Sequence, residues 1–333
     1  MIINNRTVLI TGGTGSFGQK FTEIVLRDYQ PDKVIIFSRD ELKQYEMRQK
    51  FGNDNRLRFF IGDVRDKDRL YRAFQGVDLV VHAAALKQIP AAEYNPFEVI
   101  KTNILGAQNI IEAAIDCGVK RVIALSTDKA ANPVNLYGAT KLCSDKLFIA
   151  AKSYVGSQDT RFSVVRYGNV VGSRGSVIPL FLEQRKTGKI SITDTRMTRF
   201  WITLEQGVRF VINCLDRMHS GEIFVPKLPS TRITDLAAVI APNCEIEIIG
   251  IRPGEKLHEV MITEEDSRCT FEYDDYYVIT PRFPWWKRGN CRDGKALPEG
   301  FIYSSDRNTW WLDQEAIKKM LQQAIPGFED LGS

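Results

Sequence analysis

Tyr137 and Lys141 are the two residues of this sequence whose types and spacing most clearly indicate chemistry. They open a segment with helical character, and side chains four residues apart on a helix lie on the same face. A nearby ammonium favours the ionised phenol, so Tyr137 can take a proton from a substrate hydroxyl near neutral pH. The Tyr-x-x-x-Lys spacing alone is common by chance, and it becomes specific only after the fifth strand of a dinucleotide-binding fold.

A second reactive group, Thr127-Asp128-Lys129, ends the predicted strand before that helix. Ligands in open α/β sheets bind at the carboxyl ends of the strands. A simple dehydrogenase needs only a hydroxyl there, whereas this sequence adds an acid and a base. We interpret them as serving two proton transfers besides a redox step; the alternative is an exposed Asp-Lys pair. Neighbouring side chains on a strand point to opposite faces. Asp128 and Lys129 can therefore reach the same substrate only if the strand has already ended, so we predict irregular backbone at 127–130.

The segment from Val8 to Gly18 predicts a dinucleotide site, because a strand ends, three glycines follow at three-residue spacing and a helix begins. Gly12 permits the tight turn, Gly15 lets backbone amides approach a pyrophosphate, and Gly18 allows close packing of helix and sheet. The helix N-terminus adds the positive end of a dipole. The alternative is a purely structural glycine turn.

The end of the second predicted strand favours NADP over NAD. An NAD site usually places a carboxylate there, whereas this strand ends in Ser38 and Arg39. The guanidinium of Arg39 can bind a 2′-phosphate through two hydrogen bonds, with Lys43 one helical turn further on. Asp40 weakens this interpretation, and a solvated surface arginine is the alternative.

The third and fourth strands complete the predicted cofactor site. Asp63 is expected near the adenine, and small residues after His82 let the backbone approach the cofactor; His82 itself is assigned no catalytic role. The predicted cofactor-binding residues are Gly12, Thr14, Gly15, Ser16, Phe17, Gly18, Ser38, Arg39, Lys43, Asp63, Val64, Ala83, Ala84, Ala85, Tyr137 and Lys141.

The elements that position these residues alternate along the first half of the chain. Strands are predicted at 7–11, 34–37, 57–61, 79–83, 122–125 and 162–165, and helices at 17–29, 40–51, 95–117 and 137–155. This alternation predicts an α/β fold with a doubly wound parallel sheet of the Rossmann type and a smaller C-terminal substrate-binding domain. We assign 1–168 to the NADP-binding domain, to which a segment near 200–225 returns, and 169–333 to the substrate domain and an aromatic, irregular tail.

Composition excludes several classes of protein. A net charge of +4 from 45 basic and 41 acidic residues is too balanced for a nucleic-acid partner. No apolar run reaches the roughly 20 residues that span a bilayer, and no signal peptide is evident. The six scattered cysteines lack a CxxC pair and favour free cytosolic thiols, so no metal site is predicted.

Several segments resemble the configuration-inverting UDP-N-acetylglucosamine 4,6-dehydratases, a branch of the extended short-chain dehydrogenases. They are 62–66, 126–141, 166–176, 194–201 and 251–259, and the likeness runs from about residue 5 to 265. Other 4,6-dehydratases have Thr-Asp-Glu where this chain has Thr127-Asp128-Lys129, and a longer spacer before the tyrosine. Both differences point to the inverting branch.

The resemblance implies a cytoplasmic, NADP-dependent enzyme acting on a UDP-sugar at the start of pseudaminic acid synthesis, and we expect a homo-oligomer. Tyr137 would deprotonate the sugar 4-hydroxyl during oxidation, and Thr127 would hydrogen-bond near that oxygen. Lys129 is the candidate base at C5 and Asp128 the candidate acid for the departing 6-hydroxyl. Lys141 would also hold the nicotinamide ribose. Reduction at C6 and inversion at C5 would then complete a net loss of water.

Substrate contacts follow from the same segments. They are Lys87, Tyr167, Asn169, Arg174, Ser176, Arg196, Arg199, Arg252 and Glu255. Arg252 is the best candidate for binding the diphosphate, because a guanidinium meets phosphate through two hydrogen bonds; a structural salt bridge is the alternative for each. Two other functions share part of the pattern: a nucleotide-sugar epimerase, which does not need Asp128 and Lys129, and a non-catalytic dinucleotide-binding regulator.

Overall fold

The computed structural model describes residues 1–173, 176–284, 286, 291, 293–325 and 327–328. Strands and helices alternate through the first half, as the apolar pattern predicts. The strands there are β1 (Thr7–Thr11), β2 (Lys33–Ser38), β3 (Leu57–Ile61), β4 (Leu79–His82), β5 (Arg121–Thr127) and β6 (Arg161–Tyr167). The helices there are α1 (Ser16–Asp28), α2 (Glu41–Lys50), α3 (Lys67–Phe74), α4 (Ile89–Tyr94), α5 (Pro96–Ile100), α6 (Gly106–Asp116) and α7 (Leu136–Ala150).

Shorter elements make up the second half. Its strands are β7 (Asn169–Val170), β8 (Lys189–Ile192), β9 (Thr198–Ile202), β10 (Ile223–Pro226), β11 (Ser230–Arg232), β12 (Glu245–Ile248), β13 (Val260–Ile262), β14 (Thr270–Glu272), β15 (Tyr276–Ile279), β16 (Lys295–Ala296) and β17 (Tyr303–Ser304). Its helices are α8 (Val177–Arg185), α9 (Leu204–Arg217), α10 (Ile233–Ile240), α11 (Glu264–Ser267) and α12 (Gln314–Ala324).

The large sheet has the order β16-β14-β15-β10-β6-β5-β4-β1-β2-β3. Its first six strands are parallel and lie in the doubly wound order β3-β2-β1-β4-β5-β6. Strand β10 pairs beside β6 and is also parallel. The predicted fold class is confirmed. The strands β14, β15 and β16 then extend the sheet in antiparallel fashion.

The tail after residue 266 is therefore more regular than the sequence indicates. We expected irregular aromatic chain, but β15 pairs with β10 and carries the buried Tyr276 and Tyr277. The two tyrosines are neighbours on the strand, so their rings lie on opposite faces of the sheet. Burial of these rings stabilises the strands added at this edge. Strands from beyond residue 169 thus lie in the large sheet.

The parallel strands are buried on both faces, which explains their unbroken apolar runs. Val8, Leu9 and Ile10 in β1 have no exposed surface. Helix α9, predicted at 203–218, packs against α1. It begins with a capping box in which Thr203 and Gln206 satisfy each other's backbone amides.

A second apolar cluster lies outside the sheet, and it includes Phe181, Trp201, Leu236 and Leu321. Helices α8, α10 and α12 contribute to it, so the end of the chain packs onto the smaller part of the molecule. No described helix is long and apolar enough to cross a membrane.

The long helix predicted at 95–117 contains a π-helical segment, Lys101–Leu105, between α5 and α6. Single π turns inside α-helices are frequent at functional sites. Here Asn103 binds the backbone N–H and C=O of Leu86 at 2.9 Å each and donates to Thr140 Oγ1 at 3.0 Å. The segment therefore joins the loop after β4 to helix α7.

Candidate active site

A cleft of about 1240 Å³ opens at the carboxyl ends of β1, β4, β5 and β6 and is closed from the other side by the smaller part of the molecule. All of the predicted cofactor-binding residues line it except Gly18. Of the predicted catalytic residues, Thr127, Lys129, Tyr137 and Lys141 line it, and Asp128 lies directly behind the wall with no exposed surface.

The glycine turn is shaped for close backbone approach. Gly12 has φ +66°, and a Cβ atom there would lie 2.9 Å from Ala84 N. A Cβ on Gly18 would overlap the backbone of Gly13. Gly15 is the N-cap of α1 and no side chain fills that cap. The first-turn amides of α1 and the helix dipole suit a pyrophosphate, so the residues present fit a dinucleotide.

Thr11 joins the turn after β1 to the loop after β4. Its hydroxyl accepts from the Ala84 amide at 3.2 Å and is hydrogen-bonded to His82 Nδ1 at 2.8 Å. Burial, together with the charge of Lys141, lowers the pKa of His82 to about 3. His82 is therefore a neutral packing residue.

The cleft near the end of β2, where the adenosine ribose is expected, contains both basic and acidic side chains. Arg39 lies 3.6 Å from Asp63 Oδ2, and Lys43 lies 2.7 Å from Asp40. Although burial opposes ionisation, hydrogen bonds from Arg65 and the charge of Arg39 hold the pKa of Asp63 below its usual value. Arg39 is about half exposed at 53%, so its guanidinium is accessible.

Tyr137 lies in the first turn of α7, which begins with Asn135 accepting from Gly138 N at 2.8 Å. Gly138 lets the helix touch the backbone at Lys129. Burial raises the pKa of Tyr137 to about 12, against the opposing effects of the Lys129 charge and a hydrogen bond with Thr127. The sequence suggested Lys141 as the ammonium that favours ionisation of Tyr137. In the structure, Lys129 is the ammonium that acts most strongly on this phenol.

Lys141 is buried beside a carboxylate that sequence reasoning missed. Burial lowers the pKa of Lys141, and Asp145 opposes that effect. Asp145 accepts from Ser126 Oγ at 2.8 Å and lies 3.6 Å from Arg166, which also donates to Met261 O at 2.9 Å. The i,i+4 spacing of Lys141 and Asp145 on α7 was the available signal.

Strand β5 ends at Thr127, and a 3₁₀ turn, Asp128–Ala130, follows. This confirms the predicted departure from strand geometry. Asp128 Oδ1 accepts from the Thr127 hydroxyl at 2.9 Å and from Lys129 Nζ at 3.0 Å. Asp128 Oδ2 is buried without a hydrogen-bond partner. Burial and the nearby Glu259 raise the pKa of Asp128.

Glu259 is the main functional candidate that sequence reasoning missed. Its Oε1 lies 3.2 Å from Lys129 Nζ, so this ammonium sits between two buried carboxylates. Burial lowers the pKa of Lys129, but the charges of Asp128 and Glu259 outweigh it and raise that pKa overall. Glu259 belongs to the segment that carries the family resemblance, but no local pattern pairs it with a lysine 130 positions earlier.

Most of the predicted substrate-binding residues line the cleft, namely Lys87, Tyr167, Asn169, Ser176, Arg199, Arg252 and Glu255. Arg196 does not; it is exposed and pairs with Asp194 at 2.8 Å. Arg199 is buried and donates to the carbonyls of Thr198, Lys256 and Leu257. Arg174 lies outside the described residues. These substrate contacts stay predictions.

The strand order, the glycine turn and the Tyr137–Lys141 pair in the cleft define a dinucleotide-dependent enzyme of the extended short-chain dehydrogenase/reductase type. The chain belongs to the polysaccharide biosynthesis protein family, whose sequence profile matches residues 8–281.

Individual relatives agree with this assignment. The chain is 56% identical over 329 residues to a UDP-N-acetylglucosamine 4,6-dehydratase (inverting) from Campylobacter jejuni, covering 96% of this chain and 98% of the relative. It matches the X-ray structure of Pen from Bacillus thuringiensis with a TM-score of 0.88 and 38% identity, over 97% and 100% of the two chains. DesIV, a dTDP-glucose 4,6-dehydratase from Streptomyces venezuelae solved with NAD, matches with a TM-score of 0.67 and 25% identity over 75% and 86%.

Proposed function

We propose that this protein is an inverting UDP-N-acetylglucosamine 4,6-dehydratase. The observation that carries the proposal is the ion pair of buried Asp128 with Lys129 of the cleft wall, 3.0 Å apart, beside Tyr137 at the carboxyl end of β5. Oxidation at C4 alone needs only the tyrosine and Lys141, whereas removal of water across C5 and C6 needs a further acid and base. The relative from Campylobacter jejuni with this activity spans nearly the whole chain.

We further propose NADP as the cofactor, with the pyrophosphate at the amides of the Gly12–Gly18 turn and the 2′-phosphate at Arg39, Ser38 and Lys43. Arg39 is accessible in the cleft, and a guanidinium matches a phosphate in shape and charge. The nicotinamide ring supplies the reversible oxidation when the cofactor is bound. Lys141 is expected to hold the nicotinamide ribose.

At C4, Tyr137 takes the proton of the hydroxyl. Its neighbours prepare it for this role, because the hydrogen bond with Thr127 and the Lys129 charge both favour the phenolate against the cost of burial. Thr127 then supports the oxygen at C4. The ketone that forms acidifies the hydrogen at C5.

At C5 and C6, Lys129 is the proposed base and Asp128 the proposed acid. The raised pKa of Asp128 favours the protonated form that an acid for a leaving hydroxyl requires, and its Oδ2 has no hydrogen-bond partner. Return of a proton to the other face of C5 inverts that centre. Arg252, half exposed at the cleft wall, is the proposed contact for the diphosphate.

One experiment separates this function from the alternatives. The protein is incubated with UDP-N-acetylglucosamine in deuterated water, and NMR locates the label and the C5 configuration. A 4-keto-6-deoxy product with deuterium at C5 and inverted configuration is expected. A product that keeps its 6-hydroxyl and differs only at C4 would identify an epimerase, and no reaction with bound cofactor would favour a non-catalytic regulator.

A further inference from the structure

Glu259 is a buried carboxylate that the proposed acid and base do not yet include. It directly precedes β13 and is 2% exposed. Its backbone N–H donates to Ser305 Oγ at 3.0 Å, and the same hydroxyl lies 2.7 Å from Thr198 Oγ1. Residues far apart in the chain therefore fix the position of this carboxylate.

Three cations surround Glu259. Lys129 Nζ lies 3.2 Å from Oε1, Arg199 Nε lies 3.8 Å from Oε1, and Lys256 Nζ lies 3.8 Å from Oε2. Asp128, on the other side of Lys129, has that single ammonium and the Thr127 hydroxyl as its partners. The two carboxylates thus share one ammonium in unequal surroundings.

Two buried carboxylates that share a site do not both ionise readily, so their pKa values separate. The three cations hold the pKa of Glu259 below its usual value in spite of burial, whereas burial and the charge of Glu259 raise that of Asp128. Tyr137 lies within reach of the Asp128 charge, and Lys87 lies near Lys129, whose charge together with burial lowers the pKa of Lys87. Of the two carboxyl groups, Asp128 therefore holds a proton more readily than Glu259.

We propose that Glu259 is a positioning residue that stays ionised in the resting enzyme and keeps the acid proton on Asp128. This inference rests on the proposed function. The base removes the C5 proton, and the C–H electron pair forms the enolate. The enolate expels the 6-hydroxyl, which takes the proton of Asp128 and leaves as water.

The test compares Glu259→Gln with Glu259→Asp, using Glu245→Gln on exposed β12 as the control. Glu259→Gln should leave C4 oxidation intact, read as reduced nicotinamide in a single turnover. It should slow C5 deuterium incorporation at least about tenfold. It should also move the basic limb of the dehydration pH profile down by about one unit, because the acid Asp128 loses its proton at lower pH. Glu259→Asp should restore that limb.

A titration without substrate keeps the inference independent of activity. The ¹³Cγ signal of Asp128, assigned with Asp128→Asn, is followed against pH in wild type and in both Glu259 variants. A lower midpoint in Glu259→Gln than in wild type supports the inference, and an equal midpoint overturns it, whichever sugar the enzyme uses. Should Glu259→Gln not fold, as judged by circular dichroism, Glu259→Asp must keep the wild-type midpoint. Failure of wild type to dehydrate UDP-N-acetylglucosamine would count against the proposed function alone.

Discussion

Gly12 and Ala84 touch through their backbones: a Cβ atom on Gly12 would lie 2.9 Å from Ala84 N and 3.0 Å from its Cα. The turn after β1 and the loop after β4 therefore form one continuous wall of the cleft. Because backbone atoms, not a flexible side chain, fill the space, no local adjustment can admit even a methyl group.

We expect Gly12→Ala to lose cofactor affinity at least about tenfold, since the methyl group must push the turn away from Ala84. Gly52→Ala is a matched control: Gly52 also has positive φ, +63°, but no atom lies within 4 Å of its added Cβ. Calorimetric titration with NADP⁺ measures both. Equal affinity in the two variants would show that the turn does not hold the pyrophosphate.

Arg39→Ala should reduce the preference for NADP over NAD. A charge-assisted hydrogen bond contributes about 1.5–3 kcal/mol, so the ratio of dissociation constants should change roughly 10- to 100-fold. Arg58→Ala, on the neighbouring strand β3, removes the same charge outside the cleft and should leave the ratio unchanged. Equal binding of both cofactors to wild type would contradict the assignment.

Tyr137→Phe keeps the ring and removes the acid–base hydroxyl. Turnover should fall roughly 10²- to 10⁴-fold, while cofactor binding stays intact. Tyr154→Phe, which changes a tyrosine that is 47% exposed, is the control and should turn over normally. Near-normal turnover of Tyr137→Phe would mean that another group deprotonates the 4-hydroxyl.

Asp128→Asn and Lys129→Met should each bind substrate and NADP⁺ but stall before water leaves. Oxidation at C4 still has Tyr137 and Lys141, so reduced nicotinamide should accumulate to at most about one per site, visible in the near-ultraviolet absorbance. It should accumulate more slowly in Lys129→Met, which also removes the charge that favours the Tyr137 phenolate. Release of the 4-keto-6-deoxy product at the wild-type rate by both variants would refute their assignment as acid and base.

Local sequence patterns predicted much of the fold and one side of the site. The apolar runs of β1 and β4 and the glycines after β1 depend on neighbouring residues, so a short window of sequence contains their signal. The turn after Thr127 was predictable for a similar reason: two reactive neighbours can serve one substrate only where a strand has ended. Tyr137 and Lys141 follow from helix spacing.

The remaining features depend on contacts between distant segments. Glu259 meets Lys129 only because β13 packs beside the 3₁₀ turn after β5. The run 276–279 carries a local strand signal, but its place in the large sheet depends on pairing with β10. No feature of the sequence around Asn103 indicates that the helix changes to π geometry there. In each case the partner, not the segment itself, determines the structure.

The bond between Ser305 and Glu259 has a consequence for how the enzyme is made. A nascent chain leaving the ribosome presents the glycine turn and Tyr137 early, whereas Glu259 and the hydroxyl that anchors it come from the last third of the protein. Domains generally fold from the N-terminus during synthesis. The residues of the glycine turn are thus translated first, and the pair of Lys129 with an anchored Glu259 can form only after Ser305 has been added to the chain.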